Sequence, residues 1–197
     1  MKKIVTLIIT AVVCFSCDVA QQVAGTYNMT QCKYDYNSIS NLTLSGINLQ
    51  NVSSISSLNP ISAANLLAAF NTSSGSLPLN FTLNIGVTNP GLQTALLNGL
   101  GYILEIDGQQ MTTGFLNQNL QVAPDQKVVL PIDMAFDLKK VMAGESLNAI
   151  KNLAFNFAGI GGGSSNVTVK LQPSLVIGGQ TFKSPNYIPV SFTLNKK

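Results

Sequence analysis

The sequence predicts a mainly β protein, an antiparallel β-sandwich of the immunoglobulin or fibronectin III kind with one or two short helices. Three observations carry that expectation. Residues 79–87 alternate strictly, with Leu79, Phe81, Leu83, Ile85 and Val87 apolar and every intervening residue polar or glycine, which is the period of a half-buried strand. Residues 128–136, 167–177 and 187–194 repeat the pattern, and the strong turn dipeptides Asn89-Pro90, Asp107-Gly108 and Gly178-Gly179 punctuate the chain. At 197 residues, 46% hydrophobic and only 10% charged, the chain has enough apolar side chains for a core of about one domain and is no disordered tail or coiled coil.

Taken in order, the chain opens on Met1-Lys2-Lys3 and an apolar run from Ile4 to Phe15, the charged start and short greasy middle of a secretory signal. Twelve helical residues rise about 18 Å against about 30 Å of hydrocarbon, too short to span a bilayer. Cys14-Phe15-Ser16-Cys17 then resembles a bacterial lipobox, in which Cys17 receives a diacylglyceryl thioether and becomes the new N-terminus. The expectation is a lipoprotein signal over residues 1–16, lipidation of Cys17, a flexible tether over 17–30 and a single domain over 31–197. The alternative is an ordinary secretory signal, with Cys17 pairing with Cys32. A lipid-anchored chain of this kind belongs in the cell envelope of a Gram-negative bacterium, at the outer membrane, with its domain in the periplasm.

Within the domain, residues 34–49 read as one long or bent strand, with Gly46 marking a bulge. Asn59-Pro60 reads as a cap and first helical residue leading into a helix over 61–70. Residues 71–76 read as a polar loop, 79–87 as the clearest strand, and 101–107 as a strand ending in the Asp107-Gly108 hairpin turn. The strand over 128–136 has Pro131 on its polar phase, which places it at an edge or bulge. Residues 137–157 space Leu138, Val141, Met142, Leu147, Ile150 and Leu153 helically, with an interruption at Gly144. Residues 159–165 form a glycine-serine connection.

Few chemistries are open to these residues. There is no Arg, His or Trp, which removes clustered Arg-and-aromatic nucleic-acid recognition, Ser-His triads and most zinc sites. With Cys17 acylated, Cys32 is left as a lone thiol without a histidine to activate it, hence a passive, partly buried residue. Asp133 and Asp137, the best carboxylate pair, sit about 13 Å apart along one strand at ~3.3 Å per residue, wide for either glycosidase geometry, and read as surface charges. No Asp-rich loop suggests calcium and no Ser-x-x-Lys occurs. Gly159 to Ser165 lacks the Lys and Ser/Thr of a phosphate-binding loop. The expectation is a non-enzyme with no catalytic, metal or cofactor-binding residues and no nucleic-acid partner.

The run Phe81 to Pro90, then Tyr102 to Gly108, Gly114, and Val122-Ala123-Pro124 before Val128 to Ile132, resembles the late embryogenesis abundant type 2 domain, also called the water stress and hypersensitive response (WHy) domain. The resemblance covers about residues 79–194. It implies a folded sandwich, no catalytic residues, and a role in stress tolerance through protection of other proteins. The leading expectation is therefore a lipid-anchored domain that binds or shields macromolecules. The alternative is a module for an apolar or lipid ligand, with Pro60 to Phe70 lining a groove between helix and sheet.

Overall fold

A computed structural model describes residues 24–71, 75–177 and 180–194. Among them the chain forms a mainly β, antiparallel structure in which two sheets enclose one apolar core, joined by a few short helices. The expected mainly β, antiparallel sandwich holds, with more short helices than the one or two expected.

Residues 24–31 form helix α1. The tether expected over 17–30 is corrected for this part, and the rest of it, with the signal and Cys17, lies outside the described residues. The helix exists because Gly25, Met29 and Cys32 recur at helical spacing and all are buried. Gly25 carries no side chain to register as apolar, and a methyl there would come 2.5 Å from Leu96 Cγ, so the helix packs through its bare backbone.

The first sheet comprises β1 (Lys33–Leu44), β2 (Ile47–Asn48), β3 (Pro78–Thr88) and β8 (Lys127–Asp137), in the order β2-β1-β3-β8. The single bent strand expected over 34–49 is two strands joined at Ser45-Gly46, whose positive φ values of 49° and 77° make a turn where a bulge at Gly46 was expected. Strand β1 instead shifts register against β3 twice, between Tyr36 and Ser38 and between Ser40 and Thr43, the second around Asn41 at φ 56°. Every odd residue of β3 from Leu79 to Val87 is buried, as its alternation predicts, and Leu83 sits between Ile39 and Ile132. Its even face is drier than expected, because β1 and β8 flank it on both sides. Strand β8 pairs with β3 alone, so exposed Pro131 lies on an edge strand, as its polar phase predicts.

The second sheet comprises β5 (Gly99–Ile106), β6 (Gln109–Leu116), β9 (Ser165–Ile177), β10 (Gln180–Lys183) and β11 (Ile188–Leu194). Strand β9 lies between β5 on one side and β10 and β11 on the other. Asp107-Gly108 makes the predicted two-residue hairpin, with φ of 51° and 81° as a type I′ turn requires. Pro173 falls in the gap where β11 has ended and β10 has not begun, since β11 pairs up to Leu171 and β10 from Ser174. A small ladder of β4 (Ala95–Leu97) and β7 (Leu120–Val122), unforeseen in the sequence, bridges the two sheets' connections at one end.

At the other end, α2 (Pro60–Asn71), α3 (Leu138–Val141) and α4 (Leu147–Ala158) close the core. Asn59 accepts the Ser62 N–H at 2.8 Å, the expected cap before Pro60. Gly144 at φ 96° separates α3 from α4, and Gly159 ends α4 in the left-handed conformation. Leu66 and Phe70 are the buried positions of α2, and Phe70 meets Phe155 edge-on at 5.2 Å. Along one side the sheets are joined by Tyr36 stacked on Phe192, with ring centroids 3.9 Å apart.

Candidate functional site

The residues singled out in the sequence are employed in holding the fold. Asn89, at the end of β3, is 1% exposed, and its side chain is used at both ends. The amide nitrogen donates to the Gln93 and Val122 carbonyls, each at 2.8 Å, and the amide oxygen accepts the Gly91 N–H at 2.9 Å. Its backbone N–H donates to the Gln126 carbonyl and its carbonyl accepts the Asp125 N–H. Asn89 thus ties its own turn to the β7–β8 connection.

Asp133 and Asp137 do not act together. Asp133 is exposed and accepts from the Thr82 hydroxyl at 2.6 Å. Asp137 accepts from Ser76 Oγ at 2.7 Å and from the Leu77 and Lys139 N–H groups at 3.0 Å, capping α3. The expectation of two surface charges is corrected for Asp137, which is half-buried because chain segments from both ends of the 78–137 stretch converge on it. Burial alone would raise its carboxyl, but donors from Leu77, Ser76, Lys139 and Lys140 outweigh it and hold the group below the usual carboxylate range. Its contribution to stability is therefore present above the ordinary carboxylate pKa and is lost as pH falls through the lowered folded value. Asp137→Ala should destabilise clearly near neutral pH and less at about pH 3, below the ordinary carboxylate pKa, where wild type has begun to lose the same contribution. Urea melts at the two pH values check this, and an equal loss at both would contradict it.

Cys32 is buried, its thiol lying 3.5 Å from the Asn28 carbonyl, and burial pushes its pKa up to about 11. A passive or partly buried thiol was expected, and the structure buries it. The raised value also makes stability fall as pH climbs from about 9 towards about 11, where the unfolded chain ionises first. Near pH 8, iodoacetamide should alkylate Cys32 in the folded protein about a hundredfold more slowly than in the denatured chain, read by peptide mapping. Comparable rates would show that the thiol is accessible and ionised.

Two surface features remain. The first is the outer face of the first sheet, where Asn84 donates to Ser38 and Ser40 at 3.1 and 3.0 Å, Asn41 donates to Thr82 at 3.1 Å, and Asn80 donates to Thr43 at 3.4 Å. Hydroxyls and amides form a lattice across β1 and β3, and the Thr82–Asp133 bond extends it through one carboxylate to β8, around an open depression of about 320 Å³. Gly86 gives the same face its one crossing ion pair, because Lys127 donates to Asp35 over β3 at 2.9 Å and a methyl at residue 86 would lie 2.7 Å from Lys127 Cε.

The second is a cleft of about 200 Å³ walled by Tyr36, Ile39 and Leu42 of β1, Leu194 of β11, Phe157 of α4 and the 49–53 segment. It follows from the β1 bulge. The shift around Asn41 takes Leu42 out of step with β3, and Gln50 fills in, accepting from the Leu42 N–H and donating to the Ile39 carbonyl, both at 3.3 Å. Nothing in the sequence pointed here, since the signal is one amide eight residues from its partner. The expected groove over Pro60 to Phe70 does not form this cleft: α2 turns Leu66 and Phe70 into the core and lines none of it. Among the described residues no group of three or more His, Cys, Asp or Glu side chains could hold a metal, and no helix is long and apolar enough to cross a membrane.

No family model matches the chain, and no curated protein matches it. Solved structures are similar in outline. A protein from Archaeoglobus fulgidus aligns at 14% identity and a TM-score of 0.36, over 63% of this chain and 89% of its own. A protein from Arabidopsis thaliana, known from a solution structure, aligns at 12% identity and a TM-score of 0.40, over 62% of this chain and 70% of its own. At these values neither likeness carries a functional argument.

Proposed function

We propose that the protein is a non-catalytic, lipid-anchored domain of a Gram-negative cell envelope, similar to the WHy group, that binds or shields other macromolecules through its surface. The anchor is a lipid on Cys17, and the compartment is the periplasmic side of the outer membrane. The observation that supports the reading best is the neutral hydroxyl and amide lattice on the first sheet. Such groups donate and accept, match polar macromolecular surfaces or their hydration, and lose little to salt, unlike a charged patch. A chain with 11 Lys, no Arg and 8 acids has little charge to offer instead.

The test combines anchor and face. Cys17→Ser should give an unprocessed or soluble form, and metabolic labelling with a clickable fatty acid should mark only the wild type. Membrane-resident protein should lower the aggregation of a heat- or drying-sensitive client enzyme, and Ser38→Glu with Ser40→Glu should remove that effect while the melting temperature stays close to wild type. Unchanged protection by the double variant would reject the lattice as the working surface.

The walls of the cleft favour a second reading, an apolar ligand. Its volume of about 200 Å³ lies below the roughly 300–1,000 Å³ of drug-sized sites, so it would take one short apolar group and not a whole lipid. A retained adduct in native mass spectrometry, displaced by Leu42→Phe, would favour this reading over the first.

A further inference from the structure

The exposed large apolar side chains are unevenly distributed. Strand register defines two ends: one carries α1, the 89–97 loop and ladder, and the start of β5, and the other carries α2 to α4 and the Asp107-Gly108 turn. At the first end, Leu92 is 93% exposed and Tyr27 66%, on two segments held together where Asn28 donates to the Thr94 carbonyl and Gly25 packs on Leu96. Phe115 stands opposite Gly101, which pairs with Gln172, and Gln172 in turn donates to the Ser184 carbonyl beside exposed Phe182 and Tyr187. Two aromatic residues of β10 and its following turn therefore join Phe115 at the same end of the second sheet. The opposite end exposes Ile61 and Leu67 of α2.

This is also the end at which the chain enters the domain. From Cys17 to Ala24, the first described residue of α1, is seven residues, which reach at most about 25 Å when fully extended. A lipid on Cys17 therefore keeps Ala24 within that distance of the bilayer, and the Leu92–Tyr27 end is the end beside Ala24, whereas the α2 end lies the length of the sandwich away from it. We infer that this end is a membrane-contact surface, with Leu92 entering the interfacial region of the bilayer and Tyr27, Phe115, Phe182 and Tyr187 lying at headgroup level. The chemistry suits the site. Tyrosine rings present an apolar body and a polar tip, which is the amphipathic character favoured at a membrane interface, and an exposed Leu at a loop tip gains by leaving water. The anchor and the apolar end then act as two signals, the first firm and the second orienting, and the polar lattice of the first sheet is held side-on to the membrane plane.

The inference rests on the lipid-anchor reading, and one experiment separates the two. Leu92→Cys and Ile61→Cys are each labelled with an environment-sensitive fluorophore in the full, processed chain, reconstituted into vesicles of phosphatidylethanolamine and phosphatidylglycerol. Both positions are exposed, so neither substitution should alter folding, and Cys32 is buried against the label. Vesicle flotation of wild type and Cys17→Ser reports the anchor. The label at 92 should brighten several-fold and be quenched by lipids spin-labelled near the headgroup, while the label at 61 stays in water. If the wild type floats but both labels report water, or both report membrane equally, the contact surface is overturned and the anchor stands. If the wild type fails to float, the anchor is overturned and the oriented contact falls with it.

Discussion

Leu83→Ala is expected to destabilise the protein by about 2–5 kcal/mol, the range for emptying a Leu-sized volume in a rigid core. Leu83 is fully buried at the centre of the first sheet, with Ile39 on one neighbouring strand and Ile132 on the other, so no side chain can swing in from solvent to fill the space. Against the roughly 5–15 kcal/mol that a whole domain possesses, this is a large fraction. The adjacent Asn84 faces the opposite side and donates to two serines, and Asn84→Ala should cost about 1 kcal/mol, the net value of such bonds in half-exposed positions. Guanidinium melts of the two variants provide the comparison. Equal losses would mean that the two faces of β3 had been assigned the wrong way round.

Asn89→Ala is expected to cost about 2–4 kcal/mol, more than the roughly 0.5–2 kcal/mol of an ordinary cap, because the buried Val122 carbonyl, the part-buried Gln93 carbonyl and the Gly91 N–H lose their partner together. Asn89→Asp discriminates further. A residue needed only to start a turn could be Asp, since its carboxylate would still accept the Gly91 N–H. Here Asp would face the Gln93 and Val122 carbonyls with no donor, so its loss should equal or exceed that of Ala. If Asp is tolerated with an unchanged melting temperature, the buried hydrogen-bond hub is not what the residue is for.

Legibility in the sequence tracked how local each determinant was. The phases of β3 and β8 could be read directly, because a period of two over nine residues has one outcome in a half-buried sheet. Asp107-Gly108, Asn59-Pro60 and Gly144 were equally plain, each acting through its own backbone dihedrals. Helix α1 was not, since its buried face consists of Gly25 and Met29, with Cys32 just past its end, and a bare glycine contributes nothing to hydrophobic periodicity. The bulge at Asn41 escaped for a related reason. Its positive φ is stabilised by Gln50, from beyond the following hairpin, while the nearby Gly46 drew attention as the residue suited to such a conformation.

By itself, then, the sequence determined the fold class, the core face of the principal strands and the edge position marked by Pro131, all properties that follow from side-chain period or from chemistry present within a few residues. Only the tertiary structure decided that Asn89 is a buried hub joining two connections, that Asp137 is a cap and not a surface charge, that a cleft with no wall from α2 opens beside the β1 bulge, and that the exposed aromatics gather at the end where the chain enters. Each of these depends on which strands become neighbours. That choice is made by the burial of the whole core at once, and it brings residues such as Asn89 and Val122, or Ser76 and Asp137, into contact across tens of positions that no local pattern connects.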